Sequence, residues 1–189
     1  MKKIKELIVL YPSFDRGGAT ANLINFINEC EKRKINVHFI SNIKKKHQKY
    51  FLKKRINVIN LNKKLDFKIF QRFFTSINSV FSLLSLFKKI KSSNSLVISF
   101  QSHILPIIFC KIFRRKIIIR NSEDIVDATK YADFKLSAFF VFLLKILFYN
   151  FSNGIITNST RSKKSLDMII FKRKSKLIFN PYLKKINKN

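Results

Sequence analysis

Two adjacent glycines, Gly17 and Gly18, follow an apolar stretch and a short polar loop near the start of the chain. The stretch, residues 7–11, is typical of a buried strand, and a segment with helical periodicity begins after the glycines. Because glycine has no Cβ, the backbone can adopt φ > 0 there and a ligand can approach it closely. The unpaired N–H groups at a helix start favour an anion. The turn therefore predicts a diphosphate site, although paired glycines also occur in such turns for steric reasons alone.

Polar side chains also follow several other predicted strands. In an open parallel sheet, ligands bind beyond the carboxyl ends of the strands. Two arginines, a histidine, carboxylates and amides at these ends could hold an anionic or polyhydroxylated ligand. The candidates are Ser13, Asp15, Arg16, Gly17 and Gly18 after the first strand, Gln101 and His103 after the fourth, Arg120, Asn121 and Glu123 around the end of the fifth, and Asn158 and Ser159 after the sixth.

Two of these candidates have a structural interpretation beside the functional one. His103 precedes a predicted helix, so it could be a reactive group or a helix cap. Arg120 ends a buried strand, where a guanidinium needs either a ligand or a carboxylate such as Glu123 or Asp124. The sequence leaves both alternatives open.

The motifs of several enzyme classes are missing from the sequence. It has no Ser-His-Asp order with a nucleophile elbow and no GxxxxGK[ST] loop, and the lack of GxGxxG argues against nicotinamide and flavin enzymes. The two cysteines, Cys30 and Cys110, lie in apolar helical patterns without CxxC spacing or a nearby histidine cluster. We expect them to be buried thiols in a reducing compartment. No metal site is predicted.

Strands and helices alternate along the whole chain. The predicted strands are residues 7–11, 37–41, 56–61, 96–100, 116–120, 154–157 and 177–179. The predicted helices are residues 19–34, 67–91, 104–113, 134–151 and 160–171, and Asn158 and Ser159 are predicted to cap the last of them. We expect residues 42–55 to form a basic, mobile connection and residues 121–131 a polar loop. The alternation predicts an α/β fold with a doubly wound, mainly parallel, Rossmann-like sheet and helices on both faces.

The longest predicted helix carries a stripe of phenylalanines that could line a cofactor or lipid groove. At helical spacing such a stripe is more often the face that packs on a sheet, which is the interpretation we prefer. The stripe consists of Phe70, Phe73, Phe74, Ile77, Val80, Phe81, Leu84 and Phe87.

The net charge of +29 would attract nucleic acid or anionic lipid. The basic residues are scattered through turns and helix ends, and no nucleic-acid recognition motif accompanies them, so nucleic acid ranks last among the partners. Abundant Lys, Ile, Asn and Phe are typical of an AT-rich coding sequence. Codon bias is therefore the first explanation for the charge, and attraction to a membrane surface is the second.

No signal peptide or membrane span is predicted. The most apolar window, residues 136–151, is interrupted by Lys145 and is shorter than the roughly 20 residues that a span requires. We expect a buried or surface-lying helix there and a cytoplasmic protein.

Six short motifs occur in a recognisable order. They are Tyr11-Pro-x-x-x-x-Gly-Gly-Ala, then residues 36–41, 98–100, 120–123 and 156–159, and finally Asn180-Pro181. In this order the chain resembles, over nearly its whole length, the amino-terminal domain of family-4 retaining glycosyltransferases. That family has the GT-B fold and transfers sugars from nucleotide donors, often to lipid-linked or polysaccharide acceptors.

The resemblance implies roles for the candidate residues. Arg16, Gly17 and Gly18 would form the loop near the donor diphosphate, and His103 would be the catalytic candidate. The remaining residues would line the cleft and the acceptor side: Ser13, Asp15, Gln101, Arg120, Asn121, Glu123, Asn158 and Ser159. It also implies a nucleotide-sugar substrate and no metal cofactor.

The resemblance further implies that residues 1–180 form the acceptor-side domain and that residues 181–189 begin an interdomain linker or basic tail. The donor-binding domain of such enzymes is not contained in this sequence, so we expect either a truncated enzyme or one that a separately encoded carboxy-terminal domain completes as a partner. The chain alone should bind a donor poorly and transfer little or no sugar. Its location would be cytoplasmic and peripheral at the inner face of the membrane.

A different class of function stays open beside the enzyme. A non-catalytic module that binds the acceptor or the membrane for a separate enzyme would bind anionic vesicles at low salt and release them at high salt. That binding would not depend on Gly17 or Arg120. A nucleic-acid binder would instead show steeply salt-dependent affinity without sequence preference.

Overall fold

The structure, a computed structural model, describes residues 4–14, 17–61, 71–171 and 175–180. Within these ranges seven strands form one sheet, in the order β3-β2-β1-β4-β5-β6-β7, and every neighbouring pair is parallel. The strands are β1 (Glu6–Ser13), β2 (Asn36–Asn42), β3 (Ile56–Asn60), β4 (Ser95–Ser99), β5 (Ile117–Asn121), β6 (Gly154–Thr157) and β7 (Ser175–Leu177).

Helices cover both faces of the sheet. Along the chain they are α1 (Gly18–Lys32), α2 (Lys45–Gln48), α3 (Gln71–Lys89), α4 (Ile104–Ile112), α5 (Ile125–Lys130), α6 (Lys135–Tyr149) and α7 (Thr160–Asp167), with 3₁₀ turns at Lys49–Phe51 and Ser92–Asn94. Helix α1 packs on one face, whereas α3, α4 and α7 pack on the other, and α6 lies against α4 and α5. The predicted doubly wound α/β fold is confirmed. None of the helices in the described ranges is both long enough and apolar enough to cross a membrane.

Strand β1 is the centre of the sheet and is buried on both faces. Its alternate residues Leu7 and Val9 face α1, whereas Ile8 and Leu10 face the helices of the opposite side. A central parallel strand covered on both sides needs this near-continuous apolar sequence, because neither row of side chains reaches water. The apolar stretch that opens the sequence is therefore the middle of the core.

Two connections are more ordered than the sequence suggests. Residues 42–55, predicted to be a mobile connection, contain α2 and a 3₁₀ turn, and buried Phe51 lies 4.9 Å from Phe39, ring centroid to ring centroid. Residues 121–131, predicted to be a loop, contain α5. Asp124 caps α5, since its side chain accepts hydrogen bonds from the backbone N–H groups of Val126 and Asp127.

Two element ends also differ from the predictions. Helix α7 ends at Asp167, four residues before the predicted end, and β7 occupies Ser175–Leu177 instead of residues 177–179. The start of β7 lies next to residues 172–174, which are outside the described ranges. Short elements at the border of a sheet depend on pairing with β6, which local sequence does not reveal.

The buried face of α3 is rotated relative to the predicted stripe. Val80, Leu83 and Phe87 are buried, whereas Phe81 is 66% exposed. The apolar stripe is wider than the surface that β1, β2 and α4 offer to it, so part of the stripe faces outward. Phe70 and the side chain of Phe73 lie outside the described residues.

Replacing Leu83 by alanine tests this orientation. Because the side chain is fully buried, we expect Leu83→Ala to lower the free energy of unfolding by about 2–5 kcal/mol. The matched variant Phe81→Ala should change it by no more than about 0.5 kcal/mol, since most of that ring is in water. Urea denaturation followed by circular dichroism measures both, and equal losses would contradict the orientation of α3.

Candidate functional site

The carboxyl ends of β1, β4, β5 and β6 meet at one edge of the sheet, and most of the predicted site residues lie there. The structure divides them into two groups on opposite sides of the sheet. The Arg120 group, on the side of α1, consists of Arg120, Phe100 and Asn180. The His103 group, on the side of α6, consists of His103, Ser99, Glu123, Lys145 and Tyr149.

In the Arg120 group, the positively charged guanidinium contacts only uncharged side chains among the described residues. The guanidinium donates to Asn180 Oδ1 and, at 3.4 Å, to Ser122 Oγ, and its carbon lies 5.2 Å from the ring centroid of Phe100. Burial lowers the pKa of Arg120 below its ordinary value, and Tyr11 acts in the opposite direction. Neutral contacts of this kind leave the guanidinium able to pair with an anion.

The carboxylates near Arg120 are paired with other cations. Glu123 forms an ion pair with Lys145, and Asp124 forms one with Arg161, 3.3 Å between Nε and Oδ2. Among the residues that the structure describes, no carboxylate pairs with Arg120. The interpretation of Arg120 as a partner of Glu123 or Asp124 is therefore wrong.

His103 is fixed by a hydrogen bond to Ser99. Its Nδ1 lies 2.9 Å from Ser99 Oγ, and that hydroxyl donates its own proton to the backbone carbonyl of Gln101. Nδ1 must therefore carry the proton and donate it, which leaves Nε2 of the neutral ring as an acceptor. His103 occupies the N-cap position of α4 but makes no capping hydrogen bond, so the capping interpretation is wrong.

Burial keeps the His103 ring neutral. It lowers the pKa of His103 to about 3, and the positive charge of Lys145 adds to this effect. The ring centroid of Tyr149 lies 5.8 Å from that of His103, nearly perpendicular to it. At Nε2, a neutral imidazole of such low basicity can accept a hydrogen bond from a hydroxyl, but it does not take up a second proton near neutral pH.

Lys145 and Tyr149 belong to this group, and the sequence did not single them out as site residues. Both lie on α6; the Lys145 side chain is 13% exposed and is bound to Glu123. The Tyr149 hydroxyl is buried without a hydrogen-bond partner among the described residues, and burial raises the pKa of Tyr149 with a further contribution from Glu123. The lysine that interrupts the apolar window of residues 136–151 was the only signal for this contact.

The glycine turn is open in front of α1. Gly17 is the N-cap residue with an extended backbone, φ 163°, and neither it nor Gly18 adopts the left-handed conformation that glycine permits. A Cβ built at either position would meet nothing within 4 Å. The glycines are thus not required by the packing of the described residues, and a ligand could approach both amides closely.

The remaining candidates have different environments. Gln101 Oε1 accepts a hydrogen bond from the backbone N–H of Ser13 at 3.0 Å, which joins the ends of β1 and β4. The Oδ1 atoms of Asn121 and Asn158 are buried without a partner among the described residues. Ser159 caps α7, as predicted, by accepting from the backbone N–H of Ser162. Asp15 and Arg16 lie outside the described residues.

The described residues contain no group of three or more His, Cys, Asp or Glu side chains that could hold a metal ion. Cys30 and Cys110 are both buried and unpaired, and burial raises the pKa of the Cys110 thiol to about 12. The chemical groups that the edge offers are therefore a guanidinium, a neutral imidazole, an ammonium–carboxylate pair and free backbone amides.

Comparison with known proteins reveals the fold. No protein-family model matches the chain, and no curated protein does so. Among solved structures it is similar to Anabaena HepE in complex with UDP-glucose, with a TM-score of 0.63 and 15% identity over 94% of this chain and 44% of that one. It is similar to the lipopolysaccharide outer core galactosyltransferase WaaB, with a TM-score of 0.54 and 13% identity over 96% of this chain and 46% of that one.

A third similar structure is a putative UDP-N-acetylglucosamine 2-epimerase from Listeria monocytogenes, with a TM-score of 0.54 and 10% identity over 89% of this chain and 43% of that one. The chain thus has the Rossmann-like half of the GT-B fold, and it spans less than half the length of each of these three proteins. At such low identity the likeness establishes the fold and leaves the reaction open.

The low basicity of His103 predicts a pH-dependent stability. In the unfolded chain, His103 is protonated below its ordinary pKa of 6.5, whereas in the folded protein it stays neutral down to about pH 3. Acidification between these two values therefore lowers the free energy of unfolding. We expect the wild type to lose up to about 2 kcal/mol between pH 7 and pH 5 relative to His103→Asn, which keeps a donor for Ser99. Urea denaturation at both pH values measures this difference, and parallel losses in the two proteins would refute it.

Proposed function

We propose that this chain is the acceptor-side domain of a family-4 glycosyltransferase that transfers a sugar from a nucleotide-sugar donor. The observation that carries the proposal is the open glycine turn, which occurs at the carboxyl edge of a GT-B half. That half is similar to HepE, solved with UDP-glucose, and to a putative UDP-N-acetylglucosamine 2-epimerase. Those similarities support a nucleotide-sugar as the substrate. The sugar itself is not part of the proposal.

The donor diphosphate would contact the start of α1. Gly17 and Gly18 are exposed, no side chain caps the helix, and its first turn contains no acidic residue. Free N–H groups and the helix dipole favour a diphosphate at this position. Arg16, which precedes the turn, would add a positive charge. We propose a metal-independent reaction in which the chains themselves supply the charge that balances the diphosphate.

The acceptor would lie between the two side-chain groups of the edge. His103 Nε2 would accept a hydrogen bond from the reacting hydroxyl and so orient it, whereas its low pKa makes full proton uptake unfavourable. Arg120 would pair with an anionic or polyhydroxylated part of a substrate. Ser13, Asp15, Gln101 and Asn121 would line the same cleft, together with Glu123, Asn158 and Ser159.

A second domain would complete the enzyme. We propose that residues 1–180 form the acceptor-side domain, that residues 181–189 lead into a linker or basic tail, and that a donor-binding domain acts together with it. Similarity to WaaB supports a lipid-linked or polysaccharide acceptor. Such an acceptor would place the protein in the cytoplasm, peripheral at the inner face of the membrane. The net charge of +29 supports that location.

A non-catalytic module that binds the acceptor or the membrane is the competing proposal. The exposed apolar face of α6 favours it, because that surface does not need the glycine turn. The two functions differ in their dependence on Gly17, Gly18 and Arg120, which only the enzyme requires.

Alanine at Gly18 separates a binding role from a structural one. The new Cβ meets nothing within 4 Å, so the fold should be unaffected, but it would obstruct a diphosphate at the helix start. We expect UDP to shift the amide NMR signals of Gly17 and Gly18, and Gly18→Ala to weaken UDP binding about tenfold or more. Gly154→Ala, whose Cβ makes an ordinary contact of 3.8 Å with Ile118 on β5, is the matched control. Equal UDP binding by both variants would overturn the diphosphate site.

Sugar transfer by the purified chain tests the need for a second domain. With UDP-glucose and a mixture of lipid-linked oligosaccharides, we expect little or no UDP release from the chain alone, because most donor contacts belong to the other half. Robust release by this chain would contradict the proposal. The proposal would be supported if UDP release appeared after a donor-binding domain was added. That release should be lost in Arg120→Gln and kept in the control Arg55→Gln, since Arg55 is exposed.

A further inference from the structure

Helix α6 has two apolar faces, of which the structure covers one. Phe142 and Ile146 pack against the core formed with α4 and α5. The outward residues Leu136, Phe139, Phe140, Leu143 and Leu147, which we call the α6 apolar face, follow helical spacing and are all exposed, Leu136 by 72% and Phe140 by 57%. A contiguous apolar surface of this kind on a charged protein marks an interaction site.

Basic residues border both ends of the α6 apolar face. Near the N-terminal end, Lys130 lies over the ring of Tyr131, 5.4 Å from its centroid, and Lys135 begins the helix. Near the C-terminal end, Lys111 lies 5.8 Å from the ring centroid of Phe151. All three lysines are exposed. Aromatic rings beside cations are typical of protein surfaces at the boundary between headgroups and acyl chains.

Few acidic residues oppose this positive charge. Within residues 130–150 the only carboxylate in the sequence is that of Asp133. Glu123 also contacts α6, but it forms its ion pair with Lys145 on the inner side of the helix. The outer surface of α6 therefore combines apolar side chains with positive charge, which is complementary to an anionic lipid headgroup layer.

We infer that the α6 apolar face is the surface by which this protein binds an anionic lipid bilayer, with α6 lying in the plane of the headgroups. At 1.5 Å per residue its 15 residues extend about 22 Å, which is less than the roughly 30 Å hydrocarbon core, and the helix therefore lies in the interface and does not cross it. A second copy of this chain is a poorer occupant, since it would bring another +29 charge against the same lysines.

The inner side of the same helix reaches the candidate site. Lys145 binds Glu123, and Tyr149 contacts the ring of His103. A lipid-linked acceptor in the bilayer would thus be held one helix away from the His103 group. This last consequence rests on the proposed function, whereas membrane binding itself rests on α6 alone and is measured without any sugar nucleotide.

Vesicle co-sedimentation tests the surface. The chain should bind vesicles of equal parts phosphatidylglycerol and phosphatidylcholine at low salt, and bind pure phosphatidylcholine much more weakly. The double variant Phe139→Ser/Phe140→Ser should weaken binding to the anionic vesicles about tenfold or more. The control Tyr50→Ser/Leu52→Ser removes two exposed apolar side chains beside lysines on the opposite side of the sheet, and it should bind like the wild type.

A matched pair of charge variants tests the lysines. Lys111→Gln/Lys130→Gln/Lys135→Gln should weaken binding to anionic vesicles several-fold more than Lys49→Gln/Lys53→Gln/Lys54→Gln, although both sets remove the same charge. Equal effects of the two sets would show that net charge alone attracts the protein, and would overturn the assignment to α6.

Fluorescence keeps the inference testable if the double serine variant does not fold. The chain contains no tryptophan, so Phe140→Trp introduces a single tryptophan, which can be excited selectively, on the α6 apolar face. Its emission should shift to shorter wavelength with anionic vesicles and be quenched by brominated lipid, whereas that of Tyr50→Trp should not. The inference would be overturned if the emission of Phe140→Trp did not shift with anionic vesicles. It would also be overturned if the wild type formed a dimer in the absence of lipid and Phe139→Ser/Phe140→Ser were monomeric. Loss of UDP binding would leave it intact and would bear on the proposed function alone.

Discussion

Burial of β1 on both faces is the constraint on which the rest of the structure depends. Ile8, Val9 and Leu10 are completely inaccessible to water, and the neighbouring strands pair with this strand in parallel. A central strand whose middle residues are all apolar requires helices on both sides of the sheet. Polar groups can then collect only where the strands end, and that edge is where the candidate site lies.

The same constraint divides the edge into two chemical environments. Side chains alternate along β5, so Arg120 points to the side of α1, whereas Asn121 points to the side of α6. A guanidinium with neutral contacts is thus separated by the sheet from the neutral imidazole of His103. A substrate that spans the edge could use both groups, as the proposed transfer requires, and the nearby carboxylates of Glu123 and Asp124 pair with other cations, not with the guanidinium.

Helix α6 links this site to the outer surface. Its inner residues complete the His103 group, and its outer residues form an apolar face bordered by lysines. The two proposals therefore place one function on each side of the same helix, and each side has its own physical signature: a partly exposed ion pair on one and exposed phenylalanines on the other. The half of a GT-B fold in this chain gives both sides a fixed geometry before any second domain is considered.

The sequence by itself determined the α/β fold, the alternation of its elements, the edge that carries the polar residues and the cap at Ser159, because local periodicity and capping chemistry follow from neighbouring residues. Only the tertiary structure decided that Phe81 faces water, that Lys145 takes Glu123 away from Arg120, and that His103 binds Ser99 instead of capping α4. The ion pair joins residues that are distant in the chain, and Lys145 and Arg120 are alternative partners for Glu123. Their outcome depends on how helices pack, which no local pattern contains.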